Sequence, residues 1–285
     1  MSEPLLGAHM SIAGGVFNAF FHGKSVGCNT IQIFVKSNNQ WRAKPLSDEE
    51  VEKHHQLQKE TGINPVVAHD SYLINAASQD KVLYAKSREA LKIELERCQV
   101  LKIPYLVMHP GSHVGAGEKV GLVTIARALN EIFDELDDKG TKIALETTAG
   151  QGSNLGYKFE HLADIMGQVK QQNRMAVCLD TCHVFAAGYD LRTADGYKTV
   201  MAEFDRIVGL KHLAAIHCND SKKGFGSRVD RHEHIGKGEL GKEAFGFFLN
   251  DSRLEQVPKI LETPKGPDYA EDKMNLKVLR SLIKK

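Results

Sequence analysis

Short apolar runs alternate with longer amphipathic segments along the whole chain. Eight of the short runs are rich in β-branched residues and predict β-strands, at positions 5–9, 30–35, 65–69, 105–109, 142–146, 176–180, 214–217 and 259–262. The segments between them have helical spacing. Between Val120 and Leu136, for example, apolar residues recur with a period of about 3.6 residues. Strands that are apolar throughout and alternate with amphipathic helices are typical of a parallel sheet buried on both faces.

The number of strand–helix units predicts the fold. Eight units in 285 residues fit an α/β fold of the (β/α)8 type, a TIM barrel, which commonly takes about 250 residues as one domain. The sequence contains no linker, repeat or low-complexity tract, so we predict a single domain over residues 1–285. A doubly wound open sheet is the alternative.

Six of the eight predicted strands end in a residue type that binds metal ions. These residues are His69, His109, Glu146, Asp180, His217 and Glu262. In a barrel the C-terminal strand ends converge on one face, so we expect the six side chains to surround one pit. Crowded carboxylates and imidazoles are costly unless cations compensate them, and the pattern therefore predicts bound metal. His9 follows another strand start and is ambiguous, whereas histidines on predicted helices, such as His54 and His161, are expected to be structural.

Two further segments add ligand types. His183 lies three residues after Asp180, and Asp230 and His232 share one loop. Imidazole and carboxylate ligands suit Zn²⁺, followed by Mn²⁺ or Fe²⁺. Nine candidate ligands, at three to four per ion, correspond to two or three metal ions. Cys178 alternates with Asp180 along its strand and could also face the pit, but the set does not need it.

Composition and charge limit the cellular setting. Lys+Arg number 37 and Asp+Glu 36, a balance that argues against gripping polyanions through bulk charge but leaves room for a local basic face. Five cysteines at irregular spacing suit a reducing compartment better than a disulfide framework. The sequence shows neither an apolar run of about 18 residues nor the features of a signal peptide. We therefore expect a cytoplasmic monomer with no membrane partner.

Three loops at the predicted ligand-bearing end suggest a phosphate-containing substrate. Residues 222–228 and residues 36–44 each contain three cations, and the second loop also contains the only tryptophan. A third loop places Tyr72 and Leu73 soon after the candidate ligand His69. Clustered metals usually serve the hydrolysis of phosphate esters. Basic loops interleaved with wedge-like side chains are typical of proteins that bind distorted duplex nucleic acid.

Several strings of residues resemble the endonuclease IV family of apurinic/apyrimidinic (AP) endonucleases. The longest are HDSYLIN at 69–75, CLDTCH at 178–183 and HCNDSKKGFGSRVDRH at 217–232. Three more, GAHMSIAGG at 7–15, HPGSH at 109–113 and ETTAGQGSNLG at 146–156, are also similar to that family. The resemblance covers essentially the whole chain, and the string at 217–232 is long and specific.

The resemblance implies a TIM barrel that holds three zinc ions, with Mn²⁺ as a substitute. It assigns the nine candidate ligands to three sets: His69, His109 and Glu146 for the first ion; Glu146, Asp180, His217 and Glu262 for the second; and His183, Asp230 and His232 for the third. Glu146 bridges the first two ions. The implied catalytic carboxylates are Glu146, Asp180 and Glu262.

The resemblance also implies the reaction and the substrate. Family members hydrolyse the phosphodiester 5′ to an abasic site in damaged duplex DNA, leave a 3′-hydroxyl and a 5′-deoxyribose phosphate, and remove 3′-blocking groups during base excision repair. We accordingly expect the chain to act at the nucleoid. The resemblance identifies Gln40, Tyr72 and Leu73 as loop residues that enter the duplex, and the expected DNA contacts also include Asn39 beside them and Lys222 and Arg228 of the basic loop. Asn39 stands where well-known members have an arginine, so we expect the base gap to be filled less fully or by other residues.

Two other functions compete with this one. A sugar isomerase or epimerase has a similar barrel and divalent metals, but it holds one or two ions and needs no basic wedge loops. A non-catalytic module that only binds damage needs no complete ligand set. Asp230 and His232 beside the basic loop argue against the first alternative, and the nine ligand types argue against the second.

Overall fold

Within residues 3–136 and 140–284, which the computed structural model describes, eight parallel strands close into a barrel. Strands are named in chain order: β1 (Leu6–Met10), β2 (Thr30–Phe34), β3 (Val66–His69), β4 (Tyr105–Met108), β5 (Lys142–Glu146), β6 (Met175–Asp180), β7 (Leu213–His217), β8 (Asp220–Ser221), β9 (His232–Glu233) and β10 (Lys259–Leu261). Strands β1 to β7 follow one another around the barrel, and β10 lies between β7 and β1. The short β8 and β9 form a separate antiparallel pair.

Helices connect the barrel strands. They are α1 (Asn18–Val26), α2 (Asp48–Thr61), α3 (Lys81–Val100), α4 (Glu118–Glu135), α5 (Phe159–Gln168), α6 (Thr181–Ala187), α7 (Ala194–Ile207), α8 (Lys242–Leu249) and α9 (Ala270–Ser281). Local sequence sets their ends. At the start of α2 the Ser47 hydroxyl accepts a hydrogen bond from the Glu50 amide at 3.2 Å, and the helix ends at Gly62 with a φ of 69°.

The predicted TIM barrel is confirmed. Every predicted strand overlaps an observed one, and their ends differ by at most one residue. The doubly wound alternative is wrong because an open sheet has two edge strands, whereas each of the eight barrel strands pairs with a neighbour on both sides. The apolar stripe predicted between Val120 and Leu136 is buried on α4. In the described part of the chain, no helix combines the length and apolar character that crossing a membrane requires.

Small apolar residues fill the barrel beneath the predicted ligands. A buried cluster draws on six strands and includes Val67, Val107, Ala144, Cys178, Ala215 and Ile260. Side chains along a strand point alternately to opposite faces, so the residue two positions further on points the same way. The six residues reached by that step are His69, His109, Glu146, Asp180, His217 and Glu262. The predicted ligands therefore form the next inward-facing layer, at the C-terminal end of the barrel.

One histidine outside that layer is buried without a polar partner. His54 on α2 is 0% exposed, and neither ring nitrogen has a hydrogen-bond partner. Its ring packs edge-on against Phe20, with the centroids 4.9 Å apart. Burial lowers the pKa of His54 to about 4, since the charged imidazolium cannot be solvated there. His54 is therefore structural, as the sequence predicts for helix histidines.

We predict that His54 destabilises the fold in acid. The folded-state pKa lies below the unfolded value of about 6.5, so the unfolded chain binds the proton first and stability falls as the pH drops. Relative to His54→Leu, the wild-type free energy of unfolding should decrease by about 2 kcal/mol between about pH 7.5 and 5. Urea unfolding of both proteins in chelator measures this difference without a contribution from metal loss. A difference that stays constant with pH would contradict the prediction.

Candidate metal centre

The strand-end side chains surround one pit above the apolar layer. His69, Glu146, Asp180 and His217 are buried in it, and Glu262 is 13% exposed at its side chain. A cavity of about 380 Å³ opens above them; its lining includes His69, His109, His183, Asp230, His232 and Glu262. The convergence expected from the sequence is observed, and the donor atoms fall into three groups.

The first group is centred on one oxygen of Glu146. Its Oε2 lies 3.2 Å from Nε2 of His69 and 3.3 Å from Nε2 of His109. Donor atoms about 2.1 Å from a tetrahedral Zn²⁺ are about 3.4 Å apart. The observed separations match that spacing, so one ion fits between the three residues.

The second group contains the other oxygen of Glu146. Nδ1 of His217 lies 3.0 Å from Oε1 of Glu146 and 3.1 Å from Oε2 of Glu262. The same nitrogen is 3.8 Å from Oδ2 of Asp180. Glu146 thus presents one oxygen to each of two neighbouring groups, which is the arrangement of a bridging carboxylate.

The third group joins the start of α6 to the segment that leads into β9. Nε2 of His183 lies 3.1 Å from Oδ1 of Asp230 and 3.4 Å from Nε2 of His232. Nε2 of His232 is 3.5 Å from the same carboxylate oxygen. These three residues are brought together although His183 and His232 are 49 positions apart.

Backbone carbonyls fix the tautomers of these imidazoles. Nδ1 of His69 and Nδ1 of His183 donate to carbonyl oxygens 2.8 Å away, and Nδ1 of His232 donates to one 3.2 Å away. Each neutral ring then directs the lone pair of Nε2 at its group of ligands. The lone pairs of His183 and His232 face each other, and this repulsive arrangement is relieved by a cation between them. The donor set therefore fits a metal ion.

Opposite charges lower the pKa values of two carboxylates in the cluster. Burial alone raises the pKa of Glu146, but His217 and His109 hold it well below its usual range. Burial likewise raises the pKa of Asp230, but His183 lowers it to about 2. Without metal ions, protons on the imidazoles neutralise the carboxylates. Metal binding therefore displaces these protons, and the affinity for metal falls in acid.

The cysteines near the pit remain thiols. Sγ of Cys182 lies within 4.8 Å of donor atoms of Asp180 and His232, but it donates to a backbone carbonyl 3.6 Å away. Burial raises the pKa of Cys182 to about 12, and burial also raises that of Cys178 to about 12. Because the thiolate is the form that binds metal, neither cysteine is a favourable ligand.

Sequence reasoning missed Gln32, which orients two of the predicted ligands. Its Oε1 accepts a hydrogen bond from Nε2 of His217 at 2.8 Å, which leaves Nδ1 of His217 free for metal. Its Nε2 donates to Oε1 of Glu262 at 2.6 Å and lies 3.0 Å from Nδ1 of His9. Gln32 is the buried polar residue in the middle of the apolar strand β2, and that position is the signal that could have revealed it.

A second missed residue, Asn219, supports two carboxylates. Its Nδ2 donates to Oδ2 of Asp180 at 2.6 Å, and its Oδ1 accepts from the Glu262 amide at 2.8 Å. The loop that follows Asn219 carries Asp230 and is bound by the loop after β5. The Asp230 amide donates to Oε1 of Gln151 at 3.1 Å, so Asp230 is positioned by the loop after β5.

Among the residues predicted to contact DNA, Tyr72 borders the pit. Tyr72 is 64% exposed, and its ring centroid is 5.7 Å from that of His69. Leu73 is half-buried beside it, and Asn39 and Gln40 are exposed on the neighbouring loop. Lys222 and Arg228 are exposed on the loop that leads to Asp230 and His232; the Arg228 guanidinium lies over the Tyr157 ring, 4.4 Å from its centroid. The exposed Tyr72 ring and these exposed cations therefore lie on loops that also carry candidate ligands.

Sequence comparison matches the chain to a family model and to relatives named as endonucleases. The family model for xylose isomerase-like TIM barrels matches residues 22–282. A protein from Chloroflexus aggregans named "Probable endonuclease 4" is 54% identical over 99% of this chain and 98% of its own length. A protein of the same name from Geobacter sulfurreducens is 50% identical over 98% of this chain and 95% of its own.

Structural comparison also finds an endonuclease IV. Endonuclease IV from Thermus thermophilus superposes with a TM-score of 0.86 at 38% identity, covering 98% of both chains. D-Psicose 3-epimerase from Clostridium cellulolyticum superposes with a TM-score of 0.68 at 14% identity, covering 98% of this chain and 99% of its own. The second similarity shows the shared barrel fold alone.

We predict that Gln32→Leu weakens zinc binding by about 10- to 100-fold, because a residue that orients a ligand commonly has that effect on metal affinity. The leucine can no longer hold His217 or Glu262, while it keeps a similar volume. Competition with a zinc chelator measures the affinity, and Gln56→Leu on the exposed side of α2 is the matched control. Zinc affinity equal to wild type would show that Gln32 does not orient the ligands.

Proposed function

The chain belongs to the endonuclease IV family of xylose isomerase-like TIM barrels and is a nuclease, and from that premise we propose that it is a zinc-dependent AP endonuclease. It hydrolyses the phosphodiester 5′ to an abasic site in duplex DNA and leaves a 3′-hydroxyl and a 5′-deoxyribose phosphate. It acts in base excision repair. The proposal is supported by three ligand groups, two of which share Glu146, and by exposed basic and aromatic side chains on the loops that carry some of these ligands.

Nine residues hold three zinc ions in this proposal, or Mn²⁺ in their place. The sets are His69, His109 and Glu146; Glu146, Asp180, His217 and Glu262; and His183, Asp230 and His232. When bound, such ions activate water at neutral pH and offset negative charge on the phosphate and the leaving oxygen. Their combined charge also makes the pit attractive to a polyanion, which the balanced composition of the chain alone does not.

The three carboxylates proposed to be catalytic have different access to substrate. Glu146 and Asp180 are 0% exposed, so they act from beneath the reacting atoms by fixing positions and charge. The side chain of Glu262 is 13% exposed and borders the cavity, where it can orient the attacking water through a hydrogen bond. Gln32 and Asn219 hold Glu262 in that position.

The rim residues read the lesion in this proposal. Tyr72 stands over the ligand His69, so a duplex lying across the pit meets its ring. Tyr72, Leu73 and Gln40 replace the stacking lost where a base is missing, and the exposed Asn39 contributes less than an arginine would. Lys222 and Arg228 contact backbone phosphates. Unstacking costs a few kcal/mol per step, and an abasic site lowers that cost, which is one source of selectivity.

The same centre accounts for a repair activity at 3′ ends. A 3′-phosphate is a monoester and a 3′-phosphoglycolate is a diester, but in both the phosphorus is bonded to the terminal 3′ oxygen, and hydrolysis there requires less distortion of the duplex than at an internal site. We propose that the chain removes such groups. We also propose a monomer that acts on chromosomal DNA in the cytoplasm, which agrees with five cysteines that are all buried and unpaired in the described structure.

The third ligand group separates this function from the sugar epimerases that share the fold. Their similarity at 14% identity concerns the barrel alone. His183, Asp230 and His232 form a group beside an exposed basic loop, and a small neutral sugar has no use for such cations. A purely damage-binding module is disfavoured because the relatives are named as endonucleases.

We predict that Glu262→Gln lowers cleavage of a duplex containing one tetrahydrofuran site by at least about 100-fold, the usual size of a proton-handling contribution. The amide keeps the hydrogen bonds to the fold but loses the charge that orients water. Glu160→Gln, an exposed change on α5, is the matched control. Cleavage by Glu262→Gln at the wild-type rate would mean that the proposed centre is misassigned.

We predict that replacing Tyr72 and Leu73 together by alanine weakens binding to the abasic duplex by about tenfold or more, since stacking on a base contributes about 1–3 kcal/mol. Cleavage of a frayed 3′-phosphate end should fall less, because it needs less distortion. Phe21→Ala, which truncates an exposed aromatic side chain on α1, is the control. Equal losses on both substrates, or a marked fall in melting temperature, would indicate that the pair supports the barrel instead.

A further inference from the structure

A buried ion pair lies beneath two of the rim loops. Nζ of Lys36 is 2.9 Å from Oε1 of Glu94, and the two side chains are 3% and 1% exposed. Lys36 begins the loop at 36–44, and Glu94 belongs to α3 on the outside of the barrel. Within the described residues, neither side chain forms a hydrogen bond or ion pair with a candidate ligand, so direct support of a ligand does not explain why a charged pair is buried here.

Lys36 fixes the loop that carries Gln40. Its Nζ donates to the Gln40 carbonyl oxygen at 2.7 Å and approaches that of Ser37 at 3.5 Å. The side chain therefore closes the turn from inside the loop. The half-buried Trp41 follows directly and packs against the hydrophobic core. The position of Gln40 at the rim depends on this closed turn.

Glu94 fixes the loop that carries Tyr72 and Leu73. Its Oε2 accepts a hydrogen bond from the Ser71 amide at 3.1 Å. The Ser71 hydroxyl donates to the carbonyl oxygen of Asn38 at 2.6 Å and accepts from the Leu73 amide at 3.3 Å. Glu94 therefore binds the Tyr72–Leu73 loop directly. It is also connected to the Gln40 loop in two ways, through Lys36 and through the Ser71–Asn38 hydrogen bond.

The loop that carries Tyr72 and Leu73 starts at the predicted metal ligand His69. The His69 ring donates to the carbonyl oxygen of the next residue, Asp70, and Ser71 follows. Helix α3 supports the same region at two more places. Nε of Arg97 donates to the Val35 carbonyl oxygen at 2.5 Å, and the Ser87 hydroxyl accepts from the amide of Asn75, the last residue of the Tyr72–Leu73 loop, at 2.9 Å. One helix thus ties both loops to the edge of the candidate metal centre.

Stability alone does not account for the pair. Taking two charges out of water costs free energy, and apolar residues of similar volume commonly give an equally stable or more stable fold. A charged pair differs from an apolar pair in its directional hydrogen bonds. Here those bonds go to the Gln40 carbonyl oxygen and the Ser71 amide, which lie on the two loops.

We propose that Lys36 and Glu94 are a positioning pair that sets the spacing between the Gln40 loop and the Tyr72–Leu73 loop, and thereby the selectivity for abasic over intact duplex. This inference rests on the proposed function. Both loops must enter the duplex at one lesion, so an error in their spacing weakens recognition even when every wedge side chain is present. The pair acts through the loops and does not touch the reacting atoms.

The test uses the double variant Lys36→Met/Glu94→Leu in the full metal-loaded protein. It removes both charges at similar volume, whereas Glu94→Gln alone leaves a buried unpaired lysine and is expected to destabilise the fold. The matched control is Arg88→Met/Glu135→Leu, which removes a partly exposed ion pair between α3 and α4. Binding to a tetrahydrofuran duplex and to an undamaged duplex, zinc content, melting temperature and Trp41 fluorescence are compared with wild type.

We expect the double variant to keep its zinc content and melting temperature. Its preference for the tetrahydrofuran duplex should fall about tenfold, with KM for abasic cleavage rising more than kcat falls. Trp41, the only tryptophan, should become more accessible to acrylamide, which reports the loop without any cleavage assay. The control double variant should change none of these quantities.

Two results would overturn the inference. One is a double variant with wild-type selectivity and wild-type Trp41 quenching. The other is a loss of zinc or of melting temperature that accounts for the fall in binding, because the pair would then support the fold. Failure of the wild-type protein itself to cleave the tetrahydrofuran duplex would instead refute the proposed function, while the Trp41 measurement would still report the loop spacing.

Discussion

The crowding of four carboxylates and five imidazoles at one end of the barrel is the constraint on which the rest of the site depends. Glu146 and Asp180 are 0% exposed, so their charges cannot be solvated by water. Protonated imidazoles neutralise these carboxylates only at pH values where the imidazoles keep their protons. Bound metal cations neutralise the carboxylates more fully. A site built this way is held together by the ions that it binds. Its geometry, and therefore the chemistry that it supports, is inseparable from them.

The barrel makes this crowding tolerable in two ways. An apolar layer that includes Ala144 and Ala215 fills the space beneath the ligands, so the ligands face upward to the cavity and away from the core. An outer set of hydrogen bonds then fixes the ligands: Gln32 orients His217 and Glu262, and Asn219 orients Asp180. Because outer partners of this kind are commonly needed for metal affinity, they are as much part of the site as the ligands.

The ligand layer could be predicted from the sequence because its residues follow the two-residue period of the strands. Each strand-end ligand lies two positions after an inward-facing apolar residue, and that step can be read without a structure. The grouping of ligands depends on how distant strands meet, and only the family resemblance supplied it. Gln32 was missed because it acts on His217, 185 positions away. Lys36 and Glu94 were missed for a similar reason, since a lysine in a polar loop and a glutamate on a helix are ordinary until their burial is known.

We propose that three cations occupy this end of the barrel, with Glu146 between two of them. Anomalous diffraction at the zinc absorption edge, from crystals of the protein loaded with zinc, shows how many ions bind and where. We expect three peaks: one between Glu146, His69 and His109, one beside His217, and one between His183, Asp230 and His232. A single peak in the pit, or no peak beside Asp230, would contradict it and would favour the simpler metal site of a sugar epimerase.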